Sequence, residues 1–353
     1  MGLLRQFQNP TFRLIRFTCK DSRRLTLPLQ HLSQRRNTRF SLSSSSTLKN
    51  SRELVLVRAV NTEAAATQAS KMVKAIRVYE LGGPEVLKWE DVEIGEPKEG
   101  EIRVRNKAIG LNFIDVYFRK GVYKATVIPF TPGMEAVGEV IAVGPGLTGQ
   151  KVGDIVAYAG QPMGSYAEEQ ILPADRVVPV PPSVDPIIGA SIMLKGMTTQ
   201  YLVRRCFKVE PGHTVLVQAA AGGVGSLLCQ WANALGKGVD VVYDSVGKDT
   251  FQGSLDCLKL RGYMVSFGQS SGGPDPVPLS ALAAKSLFLT RPTLMQYTIT
   301  RDELLETAGE VFTAVASGIL RVRVNHKYPL SEAAQAHADL ESRKTSGSVV
   351  LIP

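Results

Sequence analysis

The residues best suited to chemistry by type and spacing stand at 222–226, Gly-Gly-Val-Gly-Ser, between an apolar run at 215–217 and a helix-forming stretch that stops at Gly236. Gly222, Gly223, Val224 and Gly225 allow a tight turn and a close approach of backbone to a pyrophosphate, whose charge the N–H groups opening a helix at Ser226 can hold. Strand, glycine turn and helix in this order form a dinucleotide-binding pattern, although a plain tight connection uses the same residues. The continuation is unusual. Only Lys237 and Gly238 separate the helix from the next apolar run at 239–243, whereas a dinucleotide fold runs into a second strand whose ribose-reading residue lies about twenty positions past the glycines. Four scattered cysteines, Cys19, Cys206, Cys229 and Cys257, have neither metal-ligand nor disulfide spacing and read as small buried hydrophobes.

The chain that must carry this turn has 353 residues with 44% hydrophobic and 21% charged content, enough for two domains with sizeable cores. No apolar run reaches membrane-spanning length. The formal charge of +9 is confined to one end. Residues 1–58 hold 12 of the 41 basic and 2 of the 32 acidic residues, which leaves 29 basic and 30 acidic residues in the rest. A neutral body excludes net charge as an argument for nucleic acid. Ten arginines, the serine run at 43–46 and only Asp21 and Glu53 as acids give residues 1–58 the composition of an organelle transit peptide. Hydroxylated residues at 41–47 favour a chloroplast address; Arg13 and Arg16 beside Leu14, Ile15 and Phe17 also suit a mitochondrial helix. Both stay open, with the mature chain expected to begin between Arg58 and Met72.

After a linker at 61–71, the pattern is mostly β, with alternation at 73–78 and 101–108 and short β-branched runs at 138–143, 154–158 and 166–172. From Pro186 the grammar changes. A helix over 186–208 leads to the central strand, then strands and helices alternate: strands at 239–243, 263–267 and 287–289, helices at 249–258, 279–284 and 301–317. The tail predicts an amphipathic helix over 328–342 and a closing strand over 348–352. His213, His326 and His337 show no partner spacing and read as surface or capping histidines.

Motifs in one order complete the picture: Gly-Leu-Asn-Phe-Ile-Asp-Val-Tyr at 110–117, Pro-Gly-Met-Glu-Ala-Val-Gly at 132–138, Leu-Lys-Gly-Met-Thr at 194–198, the glycine turn, Tyr-Asp-Ser-Val-Gly at 243–247, Val-Ser-Phe-Gly at 265–268, Leu-Thr-Arg-Pro at 289–292 and Glu-Ser-Arg at 341–343. On these the chain from Met72 onward resembles the zinc-free, zeta-crystallin-like NADPH:quinone oxidoreductases of the medium-chain dehydrogenase/reductase superfamily. The resemblance implies an α/β protein: a GroES-like β-barrel substrate domain over 72–195 and 321–353, and a Rossmann-like doubly wound parallel sheet over 196–320. In zinc-dependent relatives a cysteine and a histidine would stand at Asn112 and Met134, so the implied chemistry is hydride transfer without metal. By resemblance Tyr123 lies beside the nicotinamide as a hydrogen-bond donor to the substrate carbonyl, against a structural tyrosine on its own merits. Asn112 and Asp115 lie in the same loop, and by themselves are helix-capping residues. Tyr166, Lys195 and Thr198 line the implied cofactor cleft, where Lys195 contacts phosphate or carboxamide or is simply solvated. Ser245, Phe267, Gly268, Gln269, Ser270, Thr290 and Arg291 come from loops at the carboxyl ends of strands, and Arg343 from the last helix, where the dipole alone would favour an arginine.

Where the family carries roughly forty more residues, between Gly236 and Lys237, this chain carries none. The second and third strands of the sheet are therefore missing, with the contacts to the adenosine ribose and its 2′-phosphate. A sheet order 3-2-1-4-5-6 becomes 1-4-5-6, the central strand becomes an apolar edge, and its connection to the fourth strand becomes left-handed or rebuilds. Two function classes follow: an NAD(P)H-dependent reductase of quinones or related conjugated carbonyls, or a catalytically impaired homologue acting as a binding or dimer partner. A homodimer through 287–291 is expected from the resemblance.

Overall fold

The strand–turn–helix anchors a parallel sheet, and helices cover both of its faces. The computed structural model describes residues 12–14, 71–210, 213–235 and 240–353. Apart from 12–14 and Lys71, the transit-peptide and linker expectations lie outside the described residues, as does the joint at 236–237. In chain order the elements are β1 Phe12–Leu14, β2 Lys71–Val78, β3 Leu87–Ile94, β4 Glu101–Leu111, α1 Phe113–Arg119, β5 Glu135–Val143, β6 Ile155–Ala159, β7 Glu169–Pro173, β8 Val177–Pro179 and α2 Pro186–Tyr201. They continue as β9 Val215–Gln218, α3 Gly223–Leu235, β10 Val241–Asp244, α4 Phe251–Cys257, β11 Tyr263–Ser266, α5 Leu279–Ala283, β12 Phe288–Thr290, α6 Arg301–Ala316, β13 Val324–Pro329, α7 Ala333–Glu341 and β14 Ser348–Ile352.

The amino-terminal half is the expected β domain: one sheet in the order β13-β14-β4-β5-β6-β8, with β7 also on β4, beside the antiparallel pair β2–β3. Alternation in β4 buries Ile102, Val104 and Ala108, and these positions with Ile76, Val140 and Leu351 are core. The helix expected over 328–342 is shorter, because Val324–Pro329 instead forms a strand parallel to β14 and the helix begins only after Pro329 and a 3-10 turn. Proline lacks the N–H needed to continue a ladder, so the strand ends there. The boundary expected at 195/196 falls inside α2. This helix is capped by the Asp185 carboxylate, which accepts the Ile187 N–H, and it is buried along most of its length between barrel and nucleotide sheet. All described residues belong to one compact unit.

The nucleotide sheet runs β9-β10-β11-β12 with all neighbours parallel, the expected 1-4-5-6 order. Neighbouring strand residues point to opposite faces. Val215, Val217, Val241 and Tyr243 meet Leu227, Leu228 and Trp231 of α3, whereas Leu216, Val242 and Met264 meet Phe251 and Leu255 of α4, with Leu282 of α5 alongside. Thus α3 lies on one face, and α4 and α5 on the other. All three connections nevertheless step the same way across the sheet. Crossovers that step the same way over opposite faces have opposite hands; since right-handed ones make up roughly 98% of such units, the exception is β9–α3–β10. Burial explains its survival. The Leu227–Leu228–Trp231 stripe fits the face shared with α2, and moving α3 across would expose it.

The free edge expected on β9 is occupied. Thr214 O accepts the Val241 N–H at 3.4 Å, so residues 214 and 216 turn their backbone groups toward β10 and Val215 and Val217 turn theirs to the outer edge. There β1 pairs antiparallel, with Arg13 opposite Val217 and Leu14 opposite Leu216. Arg13 is therefore the residue whose N–H and C=O face Val217. In the full chain Arg13→Pro should release the Val217 amide to exchange with solvent, while Arg13→Ala, which keeps the N–H, should not. Hydrogen exchange read at Val217 checks this, and equal protection in the two variants would refute it.

Candidate active site

The glycine turn is shaped by contacts that a side chain would destroy. A Cβ on Gly225 would lie 2.2 Å from Ala219 O, so strand end and helix start approach as only glycine permits. Ser226 N donates to Gly222 O at 2.9 Å and Ser226 Oγ to Gly223 O at 3.1 Å, which winds the first turn of α3 and leaves the preceding amides at the helix mouth, where an anion is favoured. Val224 packs inward against the core. From the far end of the chain Gly347 braces the turn, its N–H donating to Ala221 O at 3.0 Å.

Lys195 passes behind this turn. A Cβ on Gly223 would fall 2.7 Å from Lys195 Cδ, and the ammonium ends 3.1 Å from Glu135 Oε2. Glu135 is fully buried; its Oε2 also accepts Asn112 Nδ2 at 2.8 Å, and Oε1 accepts the Leu194 N–H at 2.8 Å. Gly110 has to be glycine here, because a Cβ would sit 2.1 Å from Glu135 Oε2. Lys195 is thus the buried partner of Glu135 and not a solvated lysine; Glu135, absent from the expected site residues, stands inside the 132–138 motif. Asn112 gives its amide to Glu135 and to Gly110 O, and Met134 is buried in the barrel core. Neither presents a ligand to a metal. Among the described residues no cluster of histidine, cysteine or carboxylate groups has metal-site geometry.

The barrel loop and the nucleotide loops meet at two tyrosines. Tyr117 OH accepts the Gln269 N–H at 3.0 Å, and Arg291 donates from one nitrogen to Ser266 O and Gly268 O at 2.7 and 2.9 Å and from the other to Tyr123 OH at 3.5 Å. The Tyr117 and Tyr123 rings pack edge to face at 5.3 Å. Gly268 backs directly on Ser245, with a Cβ there reaching 2.5 Å from Ser245 O, and Ser270 N donates to Ser245 O. Phe267, Ser270 and Thr290 border the same junction at the ends of β11 and β12. Tyr117 was missed as a site residue, though it closes the 110–117 motif. Thr198 is buried on α2, and Arg343, just past α7, is exposed and lies 3.9 Å from Asp249.

Tyr166, expected in the cofactor cleft, has no exposed surface. Its hydroxyl lies 3.0 Å from Asp115 Oδ2 and 3.1 Å from His337 Nε2. Asp115, itself fully buried, also accepts the Asn112 N–H at 2.8 Å, the capping role read from the sequence. Burial pushes its carboxyl up to about 7, opposed by the Asn112 and Tyr166 hydrogen bonds and the charge of Lys195 and reinforced by Glu135. His337 is corrected from a surface histidine to a fully buried one; burial, then the Arg119 charge, lowers it to about 3, so it stays neutral. By contrast His213 accepts the backbone N–H of Glu210 three residues before it, and His326 accepts that of Ser346.

A carboxyl whose folded pKa is raised contributes stability that is present below its unfolded value of 3.8 and is lost as pH rises through about 7. Asp115→Asn removes that loss. Its stability relative to the unaltered protein should climb between pH 4 and 7, by up to about 1.4 kcal/mol per pH unit, and level off above. Urea unfolding over this range measures it; a difference independent of pH would show that Asp115 does not titrate there.

Comparison with known proteins fits this geometry. The family model described as Alcohol dehydrogenase GroES-like domain matches residues 98–182, and that described as Zinc-binding dehydrogenase matches 224–351. The chain is 43% identical to a quinone oxidoreductase of Pseudomonas aeruginosa over 325 residues, covering 80% of this chain and 100% of the relative. Since 80% of 353 residues is about 282, some forty positions of that relative have no counterpart here, in keeping with the shortened sheet. A 2-haloacrylate reductase of a Burkholderia species is 40% identical over 331 residues, covering 80% of this chain and 99% of the relative. The crystal structure of Escherichia coli quinone oxidoreductase complexed with NADPH superposes with a TM-score of 0.77 at 42% identity, covering 79% of this chain and 100% of that one. With its barrel, parallel sheet, glycine turn and tyrosine junction in place, the chain belongs to the quinone oxidoreductase family of the medium-chain dehydrogenase/reductase superfamily.

Proposed function

We propose that this chain reduces quinones or related conjugated carbonyls at the expense of NADPH, without a metal. The carrying observation is the junction at which Tyr117 meets Gln269 and Tyr123 meets Arg291, at the carboxyl ends of β11 and β12 in the glycine turn's sheet. The residues fit the pyrophosphate and nicotinamide parts of the cofactor: the amides of Gly223, Val224 and Gly225 open α3 between the bonded amides of Gly222 and Ser226, and Ser245, Gly268, Gln269 and Thr290 lie at the carboxyl ends of strands, where an open α/β sheet takes its ligand. When bound, the cofactor supplies the hydride. The protein supplies orientation and charge stabilisation. Arg291 donates toward Tyr123 OH, which occupies an oxygen lone pair and leaves the phenolic hydrogen free for a substrate oxygen as negative charge grows there. The Lys195–Glu135 pair holds a buried cation beside the turn. A substrate range reaching beyond quinones is supported by the likeness to a 2-haloacrylate reductase.

Two measurements on the full chain test this reading. Tyr123→Phe should reduce quinone turnover on the order of a hundredfold while changing NADPH affinity little; equal losses would reassign Tyr123 to packing. In fluorescence titrations NADPH should bind hardly better than NADH, because losing two charge-assisted contacts to the 2′-phosphate, at about 1.5–3 kcal/mol each, costs at least a hundredfold. Low-micromolar NADPH binding with rejection of NADH would mean that this sheet has rebuilt a phosphate site.

The basic segment is read as a chloroplast transit peptide, with a mitochondrial address as the alternative, on the strength of its arginine and serine content. Its removal would also strip β1 from β9 and free the Val215 and Val217 backbone groups. Mass spectrometry of organellar protein should find a terminus between Arg58 and Met72, and one at Met1 would end this reading. Homodimer formation through β12 is supported by its place at the sheet edge and by Phe288 and Leu289, which are exposed there.

A further inference from the structure

His337 has no part in the chemistry above, yet it is a fully buried imidazole with both nitrogens engaged. Nδ1 lies 3.1 Å from an Arg119 guanidinium nitrogen, and Nε2 lies 3.1 Å from Tyr166 OH. Arginine has donors only, so Nδ1 must accept. A neutral imidazole then carries its single hydrogen on Nε2 and donates it to the Tyr166 oxygen. The Tyr166 proton is left one acceptor, Asp115 Oδ2 at 3.0 Å, which also receives the Asn112 N–H. Every donor and acceptor role in the row is forced from one end. Arg119 is itself fixed, donating to Gly82 O at 3.1 Å and pairing with Glu341, which also pairs with Lys120. Because the guanidinium keeps its protons, the row orients groups and does not conduct a proton from that end.

We infer that His337 is a positioning residue: through the Tyr166 hydroxyl it orients Asp115, and so fixes the start of α1, which carries Asn112 onto Glu135 and Tyr117 onto Gln269. The inference rests on the proposed reductase activity for its kinetic consequence only. Among the described residues Asp115 has no side-chain hydrogen-bond partner but Tyr166, and its Oδ1 is buried without one, so loss of the hydroxyl leaves the carboxylate hydrogen-bonded to a single backbone amide. Small displacements of positioning groups cost rate more than affinity.

A double-mutant cycle in the full chain tests this, with His337→Leu, Tyr166→Phe, the double variant and His337→Gln. Glutamine can accept from Arg119 through its oxygen and donate to Tyr166 through its nitrogen, so it serves as the rescue. The expected result is a loss of kcat on the order of tenfold in each single variant, no further loss in the double, and near-complete retention in His337→Gln, with NADPH affinity and Tm of Tyr166→Phe close to those of the unaltered protein. Losses that multiply in the double variant, or full turnover in His337→Leu, would overturn the inference. If His337→Leu does not fold, Tyr166→Phe and His337→Gln still decide: the inference fails if the first keeps full turnover or the second loses as much as the first. Nitrogen-15 spectra should place the ring hydrogen on Nε2, and a ring protonated on Nδ1 would refute the assignment outright. Exchange of the Asn112 amide separates this failure from that of the reductase reading. A chain that reduces no quinone but whose Asn112 amide is exposed by Tyr166→Phe, and not by His337→Gln, loses the activity and keeps the positioning row.

Discussion

Glu135 has no exposed surface, and a carboxylate taken out of water must recover its solvation from the protein or forfeit several kcal/mol. It recovers it from three directions: the Leu194 amide at the middle of α2, the Lys195 ammonium beside it, and the Asn112 side chain at the mouth of α1. Those three groups belong to α2 and to the segment at the start of α1, which meets the loops after β11 and β12. Satisfying one buried charge therefore fixes where the barrel stands against α2, and α2 carries Lys195 against Gly223 of the cofactor turn. Removing one partner of such a pair costs about 3–5 kcal/mol, because the other is left charged and unpaired. Gly110 is part of the same constraint, since no other residue leaves room for the carboxylate.

The second buried carboxylate is solvated less fully. Asp115 accepts one backbone amide and one phenol, and one of its oxygens has no hydrogen bond. An ammonium lies on Glu135 at 3.1 Å; Asp115 has none so close, and burial pushes it up to about 7. Two acids 20 residues apart in sequence are thus solvated differently by the groups around them. The neutral His337, locked between Arg119 and Tyr166, completes the less solvated side without adding charge.

The shortened sheet shows how much of a fold is held by packing rather than by preferred connection geometry. A left-handed β9–α3–β10 unit runs against the twist of strand and helix, yet both faces of β9 and β10 remain covered, by α2 and α3 on one side and α4 and α5 on the other. What packing cannot satisfy is the outer row of N–H and C=O groups on β9, and there the chain's own Phe12–Leu14 supplies a strand. The shortened sheet keeps the glycine turn and the strand ends that meet the barrel loop.

Local pattern made the glycine turn and the order of strands and helices after Pro186 readable from residues alone, because a buried parallel strand, a glycine turn and an amphipathic helix each leave a mark within a few neighbours, whereas the 1-4-5-6 sheet order followed only from the family resemblance. Asp115 as a helix cap was readable for the same reason: cap and capped amide are three residues apart. The strand at 324–329 was not, since its partner β14 lies some twenty residues on and its own pattern passes for helix. The burial of Tyr166 and His337 and the recruitment of Lys195 to Glu135 rest on pairs separated by 60 to 171 positions, a separation across which sequence carries no distance information. Sequence alone determined which groups are present and how each short segment folds. Tertiary structure alone decided which of them lose their water, and so which become partners, because desolvation depends on everything packed around a group and on nothing adjacent to it in the chain.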